Sequence, residues 1–154
     1  MGLDMYLNKR VFIGAHYKYR KVKGNINITM GEDDTPININ FNKLDSIEEE
    51  IGYWRKANHI HNWFVENVQD GNDDCDTYSI SLENLKELLN VCNKILEDSS
   101  LAEELLPRTQ GFFFGSIEYD EYYYDSIRYT ISVLKEAIEG FIPGITTYYY
   151  RSSW

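Results

Sequence analysis

The chain has 154 residues, 43% hydrophobic and 26% charged, with a formal net charge of −10. This composition fits one ordinary globular domain spanning residues 1–154. No apolar run approaches the roughly 18 residues of a membrane span, and such acidity disfavours a protein that embraces a phosphate backbone. The charge is uneven, with 7 basic and 4 acidic groups in residues 1–44 but 2 and 9 in residues 45–80.

The N-terminal stretch LDMYLNKRVFIG alternates Leu3, Met5 and Leu7 against Asp4, Tyr6 and Asn8, the period of a strand with one buried face. It lacks the apolar core of a signal peptide, so a cytoplasmic location is expected. HYKYRKVKG continues in extended style, with basic residues interleaved. Two alternating Ile/Asn runs flank GEDDTP and predict a hairpin around residues 25–41. Ser46 and Glu49 then form an S-x-x-E capping box that predicts a helix over 46–69. QDGNDDCD ends it in an acidic loop, and TYSIS reads as a short strand or an extended lead-in. Ser81 caps a second helix over 81–98, with Leu82, Leu85, Leu88, Leu89, Cys92, Ile95 and Leu96 at 3.6-residue spacing. Cys92 on this stripe reads as a buried thiol. SSLAEELLP adds a short helical turn stopped by Pro107. TQGFFFGS is a strand or ordered loop, and a third helix follows over 119–139. Its stripe is Tyr123, Ile127, Ile131, Leu134 and Ile138, and Tyr122 falls off it toward solvent. GITTYYYRSSW is β-prone. The expected class is α+β: an antiparallel sheet drawn from both ends of the chain, packed against three helices.

The densest mixture of side chains is YWRKANHIHNWF, residues 53–64. On the predicted helix, Ile47, Ile51, Trp54, Asn58, His61, Val65 and Val68 fall on one stripe. Asn58 and His61 therefore face inward, where each needs a partner or a cavity. His59 falls with Arg55, Lys56 and Asn62 on the polar face, and Trp63 leans the same way. The H-x-H pair does not grip one metal ion, because residues two apart on a helix point about 200° apart. No metal site is expected there.

Other chemistry is thinly marked. DGNDDCD places Asp70, Asn72, Asp74 and Asp76 at alternate positions, but the Gly and Glu of a calcium loop are replaced by Cys75 and Ser81. No P-loop, GxGxxG, GxSxG or HExxH occurs, so no cofactor is expected. Glu50, Glu66, Glu118 and Asp120 are the carboxylates that could converge for hydrolysis.

MGLDMYL, EIGYWRKAN-IH-WF followed by DGNDDC, and LLP-TQGFFFGS-EYDE-Y resemble a family of small proteins from phages, prophages and bacterial genomes. The similarity spans most of the chain and is weakest at residues 23–44. It implies a phage-type accessory role and carries no catalytic residue. The leading expectation is a protein that binds a host protein or a small anionic, nucleotide-like ligand, with no direct contact to a nucleic-acid backbone. The candidate binding residues are Trp54, Arg55, Asn58, His61 and Tyr122; those on the stripe would line a pocket and Arg55 a surface site. The competing expectations are a small hydrolase or nucleotide-processing enzyme using His61 with a carboxylate, and an acidic nucleic-acid mimic.

Overall fold

Leu3, Met5 and Leu7 are fully buried, and the strand they define, β1 (Asp4–Phe12), holds the middle of the fold in this computed structural model. The structure describes residues 2–111 and 114–154, so the expected aromatic segment of residues 109–116 lies partly outside the described residues. After β1 the chain makes a short 3-10 turn at Lys18–Arg20 rather than continuing extended. The predicted hairpin is present as β2 (Ile28–Met30) and β3 (Thr35–Ile37), paired Ile28 to Ile37. Then come β4 (Ser46–Arg55), α1 (Asn58–Asn67), β5 (Tyr78–Ile80) and α2 (Leu82–Glu97). A 3-10 turn leads into α3 (Ala102–Leu105), and α4 (Glu121–Glu139) and β6 (Thr146–Ser153) close the chain.

The fold is α+β. Four antiparallel strands run in the order β4-β1-β6-β5, so the two ends of the chain pair at the centre of one sheet. Met5, Leu7, Tyr148 and Tyr150 face the helices. Phe64 of α1 stacks on Tyr150 at 4.0 Å, and the Tyr148 hydroxyl donates to the Ala137 carbonyl of α4. Helix α2 packs its buried Leu85, Leu88, Cys92 and Ile95 into the same core; burial of each leucine or isoleucine stabilises the fold by about 1.5–3 kcal/mol. Its start is fixed by the Ser81 hydroxyl, which accepts from the Asn84 amide while Asn84 reaches back to Ser81. Asp120 caps α4 in the same manner, accepting from the Tyr123 amide.

The predicted helix over 46–69 is corrected. Its first ten residues are strand β4, and only Asn58–Asn67 is helical. A β-bulge explains the misleading pattern. Leu7 pairs with Gly52 and Asn8 with Glu50, which leaves Ile51 as an extra residue in β4. An odd spacing in a regular strand puts two residues on opposite faces, but the extra residue brings Ile47 and Trp54 to the same one. Spacings of four and three thus imitate a helix. Gly52 is also demanded by packing: a Cβ there would come within 2.8 Å of both Trp54 and Val133. The strand ends at Lys56, whose left-handed φ of 57° turns the chain into α1.

Candidate functional site

Asn58 opens α1 and is fully buried. Its amide Nδ2 donates to the carbonyls of Phe114 and Ser116 at 2.9 and 3.0 Å, and its Oδ1 accepts from the Thr109 amide at 3.1 Å. One side chain thus ties two stretches of the segment between α3 and α4 to the head of α1. Asn58 is a core clamp, with no donor left over for a ligand.

His61 is 1% exposed and bonded on one side of its ring. Nδ1 lies 2.7 Å from the Tyr150 hydroxyl, and Nε2 lies 3.1 Å from Asp73 Oδ1. The second contact has ion-pair distance but lies off the line of a good hydrogen bond, so Nε2 is poorly satisfied. A carboxylate only accepts, which assigns the proton to Nε2 and makes Nδ1 the acceptor for Tyr150. Burial lowers the His61 pKa, and Asp73 pulls against it. Asp73 also accepts from the Trp154 indole at 3.0 Å. The histidine–carboxylate pair that hydrolysis needs is therefore present, but His61 lines none of the three hollows described below.

His59 and Trp63 do not lie on a polar face; they are 1% and 7% exposed. The wheel fails because α1 is short and enclosed on both sides: His61 and Phe64 face the sheet, while His59 faces α4 and the chain around Arg108. His59 Nε2 lies 2.8 Å from Ser126 Oγ, its ring packs on Tyr123 at 4.3 Å, and its Nδ1 lies 3.4 Å from Arg108 Nη1. The Arg108 side chain is only 2% exposed; its Nε donates to the Glu118 carbonyl, and Asp120 approaches to 3.7 Å. A serine hydroxyl at this distance from an imidazole is the spacing of a nucleophile and its base. The proton is on the wrong side for that. Arg108 is only a donor, so Nδ1 accepts and Nε2 carries the hydrogen toward Ser126. Ser126 in turn donates to the Tyr123 carbonyl at 2.7 Å. Burial first, and the Arg108 charge second, hold the His59 pKa well below its usual value.

Three of the five expected binding residues converge elsewhere. Trp54, Arg55 and Tyr122 meet Tyr53, Ala57, Asp125, Ser126 and Tyr129 around a cleft of about 230 Å³ between the end of β4 and the start of α4. It is larger than the hollow beside His59 and Glu66, at about 180 Å³, or the one at Arg10, Glu48 and Tyr149, at about 160 Å³. Its walls are held in place. The Tyr53 amide donates to the Tyr129 hydroxyl at 3.1 Å, the Tyr122 hydroxyl donates to the Arg55 carbonyl at 2.7 Å, and the buried Trp54 indole donates to Thr130 at 2.8 Å. Two backbone groups on the outer edge of β4 are thereby capped by tyrosine hydroxyls, which closes that part of the edge to another strand. Tyr53, Tyr122 and Tyr129 remain 41%, 52% and 42% exposed. Arg55 stands at the rim, with Asp4 as a loose neighbour at 3.9 Å. Asp125 is engaged by Arg128.

Tyr129 and Ser126 were not singled out by sequence. The signal was there: Tyr122, Ser126 and Tyr129 are spaced by four and three and form a second stripe on α4. Arg108 had no such signal, because only folding buries it. The four candidate carboxylates do not form one group. Glu50 pairs across from Asn8 in the sheet, Glu66 lines the hollow beside His59, and Glu118 and Asp120 flank Arg108. In the acidic loop, Asp74 accepts from the Tyr78 hydroxyl and the Asp76 amide, which hold its carboxyl below the usual range. Comparison of the chain with protein-family models, with curated proteins and with solved structures finds no match.

Proposed function

We propose that this protein acts by binding, and that the β4–α4 cleft takes a planar, anionic, nucleotide-like ligand. The observation that carries the reading is the convergence of Trp54 and Arg55 at the end of β4 with Tyr122 of α4, and of two further tyrosines, around one hollow. Aromatic faces favour a flat ring system, and the guanidinium of Arg55 at the rim favours phosphate or carboxylate. At about 230 Å³ the cleft is smaller than the roughly 300–1,000 Å³ of most ligand pockets. It suits the ring, with the charged part held outside at Arg55. Because the tyrosine hydroxyls are already bonded, little side-chain entropy is lost on binding.

Binding is favoured over catalysis because His59 carries its hydrogen toward Ser126 and cannot take that hydroxyl's proton, while His61 lines none of the three hollows. The second reading is a host protein as the ligand. The three half-exposed tyrosines favour it, since tyrosine is enriched at interface hot spots. Either version fits the phage-type accessory role that the sequence resemblance implies, exercised in the cytoplasm of a bacterial host cell.

Thermal unfolding with nucleoside monophosphates, free bases and inorganic phosphate tests the small-ligand version. A ligand at one hundred times its Kd stabilises by about 2.7 kcal/mol, or about 5–10 °C for a chain of this size. The nucleotide should raise Tm more than the base or phosphate alone, and Tyr122→Ala and Arg55→Ala should each remove the shift. No shift at millimolar concentration for any of the three probes would overturn it. Capture of a host protein that Tyr122→Ala abolishes would then favour the second reading.

A further inference from the structure

We propose that the segment His16–Lys23 is a binding site for single-stranded nucleic acid, separate from the cleft. Residues 16–43 leave the sheet as an arm whose neck is closed by backbone hydrogen bonds. Ile13 and Gly14 donate to the Asp45 carbonyl and Ala15 to that of Leu44, each at 2.8 Å. On the near side of this arm the sequence HYKYRKVK interleaves two tyrosines with four basic residues, Lys18, Arg20, Lys21 and Lys23. Such interleaving is the pattern of a surface that stacks bases while neutralising phosphates.

The local structure presents these groups instead of burying them. The 3-10 turn at Lys18–Arg20 sets the Tyr17 and Tyr19 rings 5.4 Å apart, with His16 against Tyr17 at 4.0 Å. Tyr19 is 75% exposed, which leaves its ring open to a stacking partner. Lys18, Lys21 and Lys23 are exposed, and among the described residues none of them makes a salt bridge. Arg20 serves a different purpose. Its guanidinium lies 4.6 Å above the Phe12 ring and anchors the platform to the end of β1. Gly14, at φ +56°, lets Phe12, Tyr17 and Arg20 close around the neck; a Cβ there would come within 2.8 Å of the Phe12 ring.

The acidic character of the chain argues against phosphate binding only where the acidic groups are near. Charges separated by more than about 8 Å are largely screened at physiological salt. No carboxylate lies within residues 16–23; the arm's own, Glu32, Asp33 and Asp34, sit at the hairpin turn, and Asp45 at the neck accepts from the Ser46 hydroxyl. An acidic protein would satisfy the lysines equally well. The paired tyrosines favour nucleic acid, because bases offer faces to stack on.

Fluorescence anisotropy with labelled oligothymidylate and oligouridylate, at low and rising salt, tests this on the full chain. Polyglutamate serves as competitor. Three lysine–phosphate contacts predict a log–log salt slope of about −2. Tyr19→Ala, at a site too exposed to unfold the protein, should weaken binding by about fivefold or more. The triple variant Lys18→Glu, Lys21→Glu, Lys23→Glu should abolish it, with circular dichroism unchanged. Absence of binding at low salt would overturn the proposal. So would displacement by polyglutamate together with indifference to Tyr19→Ala, which would make the segment a docking surface for an acidic protein.

Discussion

Replacing Asn58 by alanine removes three hydrogen bonds at once and leaves the Phe114 and Ser116 carbonyls and the Thr109 amide without their partner. A buried polar group left unsatisfied costs about 1–3 kcal/mol. Ser116 is exposed, and Phe114 and Thr109 are half-buried, so these groups recover water in part when the segment lifts. The expected net loss is about 2–4 kcal/mol, or roughly 5–15 °C in Tm for a chain of this length. Asn58→Asp is the sharper variant. It keeps an acceptor for Thr109 but points a carboxylate at two carbonyls, so it should lose at least as much as alanine. Urea unfolding gives the free energy, and amide exchange at Thr109 reports whether the segment has come loose. A loss below about 1 kcal/mol with Thr109 still protected would refute the clamp.

The buried histidines make stability depend on pH. Their folded pKa values lie below the unfolded value of about 6.5, so the unfolded chain binds more protons below that pH. Stability is full above about pH 6.5 and is lost as pH falls toward the folded values, by up to about 1.4 kcal/mol per unit for each histidine. Urea unfolding at pH 7.0 and 5.5 should show that dependence weakened in His59→Gln, and an unchanged dependence would contradict it. The two cysteines should differ sharply in reactivity. Cys92 is enclosed in the core and burial pushes its thiol up to about 12, whereas Cys75 is half-buried. Thiol titration should find one reactive group in the native protein and two after denaturation; two in the native protein would mean that the α2 core opens.

Much of the fold was legible because alternation and 3.6-residue spacing are local signals. Leu3, Met5 and Leu7 marked β1, Ser81 marked the start of α2, and Tyr123 to Ile138 marked the stripe of α4. β4 was misread because a bulge at Ile51 is a property of the pairing with β1, invisible in either strand alone. His59 and Trp63 were misplaced for a different reason: α1 is enclosed on both sides, so the face opposite His61 is buried as well, His59 against α4 and Arg108. Part of the cleft was legible. Trp54, Arg55 and Tyr122 were recognisable as candidate binding residues, but Trp54 was expected in a pocket with Asn58 and His61, and Arg55 at a separate surface site. That they meet required the turn at Lys56 and the packing of α4 against β4, both tertiary facts. Asn58 and His61 were rightly placed inside, but whether an inward polar side chain meets a pocket or a partner is decided by residues far away, here Thr109, Phe114, Asp73 and Tyr150.

The most direct test of the cleft as a binding site is a titration of the ¹⁵N-labelled protein with a nucleoside monophosphate, followed by two-dimensional NMR. The Trp54 indole N–H, held against Thr130, and the amides of Tyr53–Ala57 and Tyr122–Tyr129 are the reporters. Saturable shifts confined to those signals, and absent in Tyr122→Ala, are the predicted result. Shifts that saturate elsewhere while these signals stay still, or no shifts at millimolar ligand, would contradict it.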